Sequence, residues 1–188
     1  MTAKTWFTSD HHFFHENVIR HCSRPFSCAS EMNDAMIKRW NERVNPGDEV
    51  IYVGDFFWNA DIGLMREVRE RLNGKILLVP GNHDKIQRLL QNRLIDEVLP
   101  SIHLQSFVTS EGATQLVVFC HYPLQEWPQY YRGAIHIHGH CHGNPPAGAK
   151  LDKPIARLDL SVDVHDFYPI DINEALLKIR QNTQKIPD

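Results

Sequence analysis

Short apolar runs rich in β-branched residues alternate along this chain with stretches whose apolar positions recur every three or four residues. The first kind predicts strands at 5–8, 49–53, 75–79, 102–108, 115–120, 134–138 and 158–164. The second predicts helices at 16–21, 31–44, 62–72, 85–93 and 172–181. Met36, Ile37, Trp40 and Val44 share one face of the second helix, with Ser30 as its N-cap. Leu64, Met65, Val68 and Leu72 do the same on the third, which Asn73-Gly74 closes. Ile172, Leu176 and Ile179 follow an Asp171 cap on the last. Strand–helix alternation in the N-terminal half predicts an α/β fold with partly parallel pairing. Two strand runs around Ser110-Glu111-Gly112-Ala113 read as a hairpin, so mixed pairing is expected. The segment 143–154, with three prolines and two glycines, reads as a surface flap.

A chain of 188 residues is long enough for one domain spanning 1–188 with a real core. A hydrophobic content of 42% and a charged content of 23% place it among soluble globular proteins. The net charge of −3 gives no general attraction to nucleic acid or anionic membranes. No apolar run approaches the ~18 residues that span a bilayer, and residues 1–10 carry no signal-peptide pattern. A cytoplasmic location is therefore expected. Cys22, Cys28, Cys120 and Cys141 form no Cys-x-x-Cys pair and read as reduced thiols.

What changes this picture is where the polar residues fall. Asp10-His11-His12, Gly54-Asp55, Gly81-Asn82-His83-Asp84, His121 and Gly139-His140-Cys141-His142 each follow an apolar strand run. In α/β sheets, ligands bind beyond the carboxyl ends of strands. Glycines at 54, 81 and 139 would let the backbone turn so that the next side chain faces the site. The clusters offer carboxylate, amide oxygen and imidazole, which suit Mn²⁺, Fe or Zn²⁺ in a working site better than a cysteine-rich structural zinc. So many donors exceed one ion and match two metals ~3.5–4 Å apart, as in phosphoryl-transfer centres.

Taken in order, Asp-x-His, Gly-Asp, Gly-Asn-His-Asp, His and Gly-His-x-His resemble the calcineurin-like metallophosphoesterase superfamily, from Asp10 to His142. The resemblance implies a four-layer α/β/β/α sandwich with two mixed sheets. It implies that Asp10, His12 and His142 hold one metal, that Asn82, His121 and His140 hold the other, and that Asp55 bridges. It further implies attack on phosphorus by a metal-bridging hydroxide, with His83 as general acid. The front block, running on into Arg24-Pro25-Phe26, looks like a small bacterial and phage branch of phosphoesterases. One stretch departs from the superfamily's protein Ser/Thr phosphatases, which carry Gly-Asp-x-x-Asp-Arg. Here it is Gly54-Asp55-Phe56-Phe57-Trp58-Asn59, without the acid or the arginine, which leaves the partner of His83 open.

The expected activity is therefore hydrolysis of a phosphodiester with two divalent ions, Mn²⁺ favoured over Fe or Zn²⁺. The substrate is a small phosphorylated molecule such as a nucleotide, with no membrane or stable nucleic-acid partner. A small phosphomonoesterase or nucleotidase is the alternative enzyme; a non-catalytic metal-binding interaction module is the alternative of another class. Around the core set, His11 should point away from the site. His15 and Asn17 are either phosphate contacts or a helix start. Arg24 is either a bidentate phosphate donor or a surface residue. His136 and His138 are either supports beneath the metals or packed strand residues. Cys120 and Cys141 read as small packed side chains, and Trp127, Tyr130, Tyr131 and Arg132 as a packed loop rather than a stacking platform.

Overall fold

The computed structural model describes residues 3–144 and 156–184, so most of the expected flap lies outside the described residues. The chain runs β1 (Thr5–Thr8), α1 (Glu16–His21), α2 (Ala29–Asn41), β2 (Glu49–Val53), α3 (Ile62–Arg71), β3 (Lys75–Val79), α4 (Ile86–Gln91) and β4 (Glu97–Val98). Then follow β5 (His103–Val108), β6 (Thr114–Phe119), β7 (Ile135–His138), β8 (Arg157–Asp159) and α5 (Ile172–Gln184). Strands β1-β2-β3-β4 form one sheet and β5-β6-β7-β8 the other. The first sheet is parallel between all its named strands. The mixing is confined to the second, where the β5–β6 hairpin is antiparallel and β7 and β8 add in parallel.

Strands β2 and β3 are apolar on both faces because both faces are covered. Val50, Tyr52, Ile76 and Leu78 pack under α1 to α4 with Met36, Trp40 and Val68. Ile51, Val53, Leu77 and Val79 face the second sheet, meeting Val117, Phe119, Ile135 and Ile137. Ile172, Ala175 and Ile179 of α5 join this inter-sheet core at the edge strands β1 and β8. The outer face of the second sheet is covered thinly, by Trp127 and Tyr130 of a loop with a 3-10 turn at Tyr130–Arg132.

Apart from the short strand β4, which the sequence reading lacks, differences from that reading sit at element ends. Helix α2 starts at Ala29, not after a Ser30 cap; Glu31 instead bonds back to Ser27 N and Oγ. Asp171 does cap α5, accepting from Asn173 and Glu174 N–H at 2.9 and 3.0 Å. The expected strand 158–164 stops at Asp159. Beyond it Ser161 bridges to Ser9 and 162–164 turn in a 3-10 helix. That early stop carries three polar side chains, at 159, 161 and 163, to the ends of β1 and β7.

Candidate metal centre

Five residues at the strand ends take left-handed backbone conformations: Asp10 (φ 58°), His12 (49°), Asp55 (61°), His140 (72°) and His142 (49°). Such φ values are uncommon outside glycine and concentrate where a fold holds strain at a working site. The loops are locked to one another. Asp10 N–H donates to Gly54 O at 3.0 Å and His12 N–H to Asp55 O at 3.1 Å. His140 N–H donates to both oxygens of Asp10 at 3.1 Å. Of the glycines expected to turn the chain, Gly54 does so with φ 84°. Gly139 serves a different need. A Cβ there would collide with Asp10 Oδ2 and lie 2.8 Å from Ser9 Oγ, so glycine permits close approach.

The clusters converge on two groups of donor atoms. Asp10, His12 and His142 form one, and Asp55, His121 and His140 the other, each with its atoms within 4.8 Å of one another. Asp55 joins them: its Oδ2 lies 3.6 Å from His12 Nε2 and 3.4 Å from His121 Nε2. Asn82 adds its Oδ1 at 3.0 Å from His121 Nε2. The groups combine buried Asp10, His12, Asp55 and His121 with exposed Asn82 and His140, so the centre opens to solvent on one side.

The donor set suits cations. His121 Nδ1 donates to Val53 O at 2.9 Å, which aims its Nε2 lone pair at two acceptor oxygens, those of Asn82 and Asp55. Acceptors facing an acceptor need a proton or a metal ion between them. Burial opposes charge on His121, but its contact with Asp55 outweighs this and raises its pKa to about 9. The same field favours a divalent ion. Burial pushes the His12 pKa down to about 3, which leaves the neutral imidazole a metal requires. Burial also raises Asp10 to about 6, despite nearby His121 and His142 and hydroxyl donors from Ser9 and Ser161.

A support layer surrounds these atoms. Asp163 Oδ2 lies 2.7 Å from His142 Nδ1, which leaves Nε2 facing Asp10 Oδ1 at 3.8 Å. Asp163 is held in turn by the buried Arg24, at 2.8 and 2.9 Å in a bidentate pair. Arg24 also donates to the carbonyls of His11 and Asp10 at 2.7 and 2.8 Å. Arg24 is thus neither a phosphate contact nor a surface residue; it is a buried clamp. Asp84 is not a partner of His83 but a buckle between strand ends. It accepts from Asp55 N at 2.8 Å, Phe56 N at 3.0 Å and Gly81 N at 2.9 Å.

Comparison with known proteins settles the relationship. The model of the calcineurin-like phosphoesterase family matches residues 3–148. The chain belongs to that family. It is 31% identical to the uncharacterized protein MJ1445 of Methanocaldococcus jannaschii, over 90% of this chain and 88% of that protein. It also resembles the crystal structure of a protein of unknown function, AQ665, from Aquifex aeolicus. There the TM-score is 0.70 at 27% identity, covering 92% and 97% of the two chains. The family depends on dinuclear metal centres, so this phosphoesterase is a metal-dependent phosphoric ester hydrolase.

In the phosphoesterase, His83 is exposed beside the centre, and its N–H donates to Asp55 Oδ1 at 2.9 Å. Its ring centroid lies 5.6 Å from that of His12 and 4.8 Å from that of Trp58. No carboxylate pairs with that ring among the described residues. His15 stacks on Trp58 at 3.8 Å and 9°. Asn17 is exposed and accepts from Arg20 at 2.8 Å.

His11 turns inward, its Nδ1 2.8 Å from Tyr52 Oη. His136 packs on Trp127 behind the second sheet, with Nδ1 3.0 Å from Val118 O, so it is a satisfied strand residue and not a support beneath the metals. His138 likewise bonds Gly139 O at 2.8 Å. All four cysteines are free thiols. Cys22 comes within reach of His142 and Asp163, as a third cluster whose acid Arg24 already engages. Sequence reasoning missed Asp163 and Ser161. The polar–apolar alternation Asp159-Leu160-Ser161-Val162-Asp163 at a strand end was the available signal, one more polar cluster like the other five.

Proposed function

We propose that the phosphoesterase hydrolyses a small phosphodiester, with His83 as general acid and two divalent ions, Mn²⁺ by preference, held around Asp55. Asp10, His12 and His142 would hold one ion and Asn82, His121 and His140 the other, with Asp55 shared. The observation that carries this reading is the position of Asp55 Oδ2, within 3.6 Å of a ring nitrogen from each side of the centre. When bound, such a pair of ions neutralises charge on the phosphoryl oxygens and makes water a stronger nucleophile near neutral pH.

The chain's own residues then have distinct tasks. Asp10 and Asp55 supply the negative charge that retains the ions. His12, His121 and His142 are fixed in rotation by packing or by bonds to Val53 O and Asp163, so little reorganisation accompanies binding. His83 stands on the open side with its main chain tied to Asp55, placed to give a ring proton to the leaving oxygen. Two features support the diester: Trp58 and Asn59 stand where the family's protein Ser/Thr phosphatases carry the acid and the arginine, and Arg24 is committed to Asp163 and two carbonyls.

The test is a paired assay with Mn²⁺ on bis(p-nitrophenyl) phosphate and p-nitrophenyl phosphate, before and after chelation. Faster turnover of the diester, abolished by chelator, is expected. Preference for the monoester would refute the diester assignment, and activity that survives full metal removal would refute the metal mechanism.

A further inference from the structure

Beside His83, away from the metal centre, lies a cleft of about 230 Å³ that the hydrolytic chemistry leaves unused. Asn82 and His83 form the wall it shares with the centre. Its floor is apolar, made by buried Phe57, Met65 and Leu89, with half-buried Trp58 at the side. Its rim carries two cations, Lys85 and Arg88. Both are anchored to neutral acceptors: Lys85 Nζ to Asn59 Oδ1 at 2.7 Å and Arg88 Nη2 to Ala60 O at 2.8 Å. Neither makes an ion pair among the described residues, whereas Arg69 and Arg71 pair with Asp96 and Asp34. Asp84 also borders the cleft, but its oxygens are turned to the backbone N–H groups of Gly81, Asp55 and Phe56. Two positive charges therefore face the opening uncompensated by any acid at the rim.

We infer that this cleft is the subsite for the leaving group, and that the leaving group is a nucleotide that carries a phosphate of its own. The inference rests on the diester reading above. In that hydrolysis water forms the new P–O bond, and the leaving oxygen departs as an alcohol with the proton from His83. Whatever is attached to that oxygen must then lie on the His83 side, where the cleft is. An apolar floor with a charged rim suits a flat ring plus an anion. The volume decides the size. It falls below the ~300–1,000 Å³ of pockets that enclose drug-sized ligands, so the open cleft takes at most one nucleotide, partly in solvent, and not an oligonucleotide.

Two measurements on the metal-loaded protein test this. The first compares the dinucleotides pApA and ApA, which differ only by a phosphate on the nucleoside that leaves. Wild type should favour pApA in kcat/KM by on the order of tenfold, mainly through KM, and Lys85→Ala/Arg88→Ala should bring that ratio close to one. The second needs no turnover: calorimetric binding of 5′-AMP and of adenosine. AMP should bind more tightly than adenosine to wild type, and the double variant should lose on the order of tenfold for AMP alone. Equal AMP binding by wild type and double variant, or an unchanged pApA/ApA ratio, would overturn the subsite. AMP binding that depends on Lys85 and Arg88, in a protein that turns over no diester, would instead refute the diester reading and reduce the cleft to a nucleotide-binding site.

Discussion

Asp163→Asn is the most informative single change, because Asp163 joins the buried Arg24 to His142. Burial would raise its carboxyl, but the bonds from His142 and Arg24 prevail and hold its pKa at about 2, below the ordinary 3.8. A depressed acid stabilises the fold above its unfolded pKa and loses that contribution as pH falls through the folded value. The gap corresponds to roughly 2–3 kcal/mol at neutral pH. The asparagine also leaves Arg24 buried without a counter-charge, and breaking such a pair costs about 3–5 kcal/mol. The carbonyls of Asp10 and His11 still hold the guanidinium, so the lower end, ~3 kcal/mol, is expected. Urea unfolding at pH 7 in chelator measures this. Calorimetric Mn²⁺ titration should show the Asp10–His12–His142 site weakened ~10–100-fold, since its histidine loses the group that orients it. A stability loss under ~0.5 kcal/mol with unchanged Mn²⁺ affinity would refute the support role. Lost stability with intact affinity would reduce Asp163 to an anchor for Arg24.

Two further outcomes follow from the same geometry. His83→Ala should keep both metals and lose ~10²–10⁴-fold in turnover, as measured by bis(p-nitrophenyl) phosphate kinetics alongside metal analysis; a loss of metal would make it a ligand instead. His136 and His165, buried and held neutral with pKa values lowered to about 4, should make the fold acid-sensitive. A lowered histidine is stabilising above its ordinary 6.5, and that stability is lost as pH falls toward 4. Each should cost roughly 2 kcal/mol between pH 7 and pH 5, and a flat urea midpoint over that range would contradict it.

Much of the centre was legible because strand ends are chemically conspicuous. An apolar run that breaks into Asp, Asn or His marks both the β-strand and its functional end, and β1, β2 and β3 have the bounds that the pattern predicts. Period two also separated Ile135 and Ile137, in the core, from His136. It did not reveal which side of the sheet faces the donor groups, because the loop 122–133 covers the outer face only through tertiary packing. Arg24 was illegible for a related reason: its partner lies 139 residues away in sequence. Asp163 was hidden because 158–164 reads as one strand. The chain leaves the sheet at Asp159 to bond Ser161 to Asp10, a choice local propensity does not encode. Helix ends moved by a few residues where side-chain bonds such as Ser27–Glu31 replaced the expected cap.

The central claim is that Asp55 joins two metal ions in one hydrolytic centre. Metal content per chain, measured by mass spectrometry after Mn²⁺ loading of wild type and of Asp55→Ala, tests it most directly. Close to two ions per chain should fall by at least one in the variant, with hydrolysis lost. A wild type that binds no metal, or a variant that retains the full content, would contradict it.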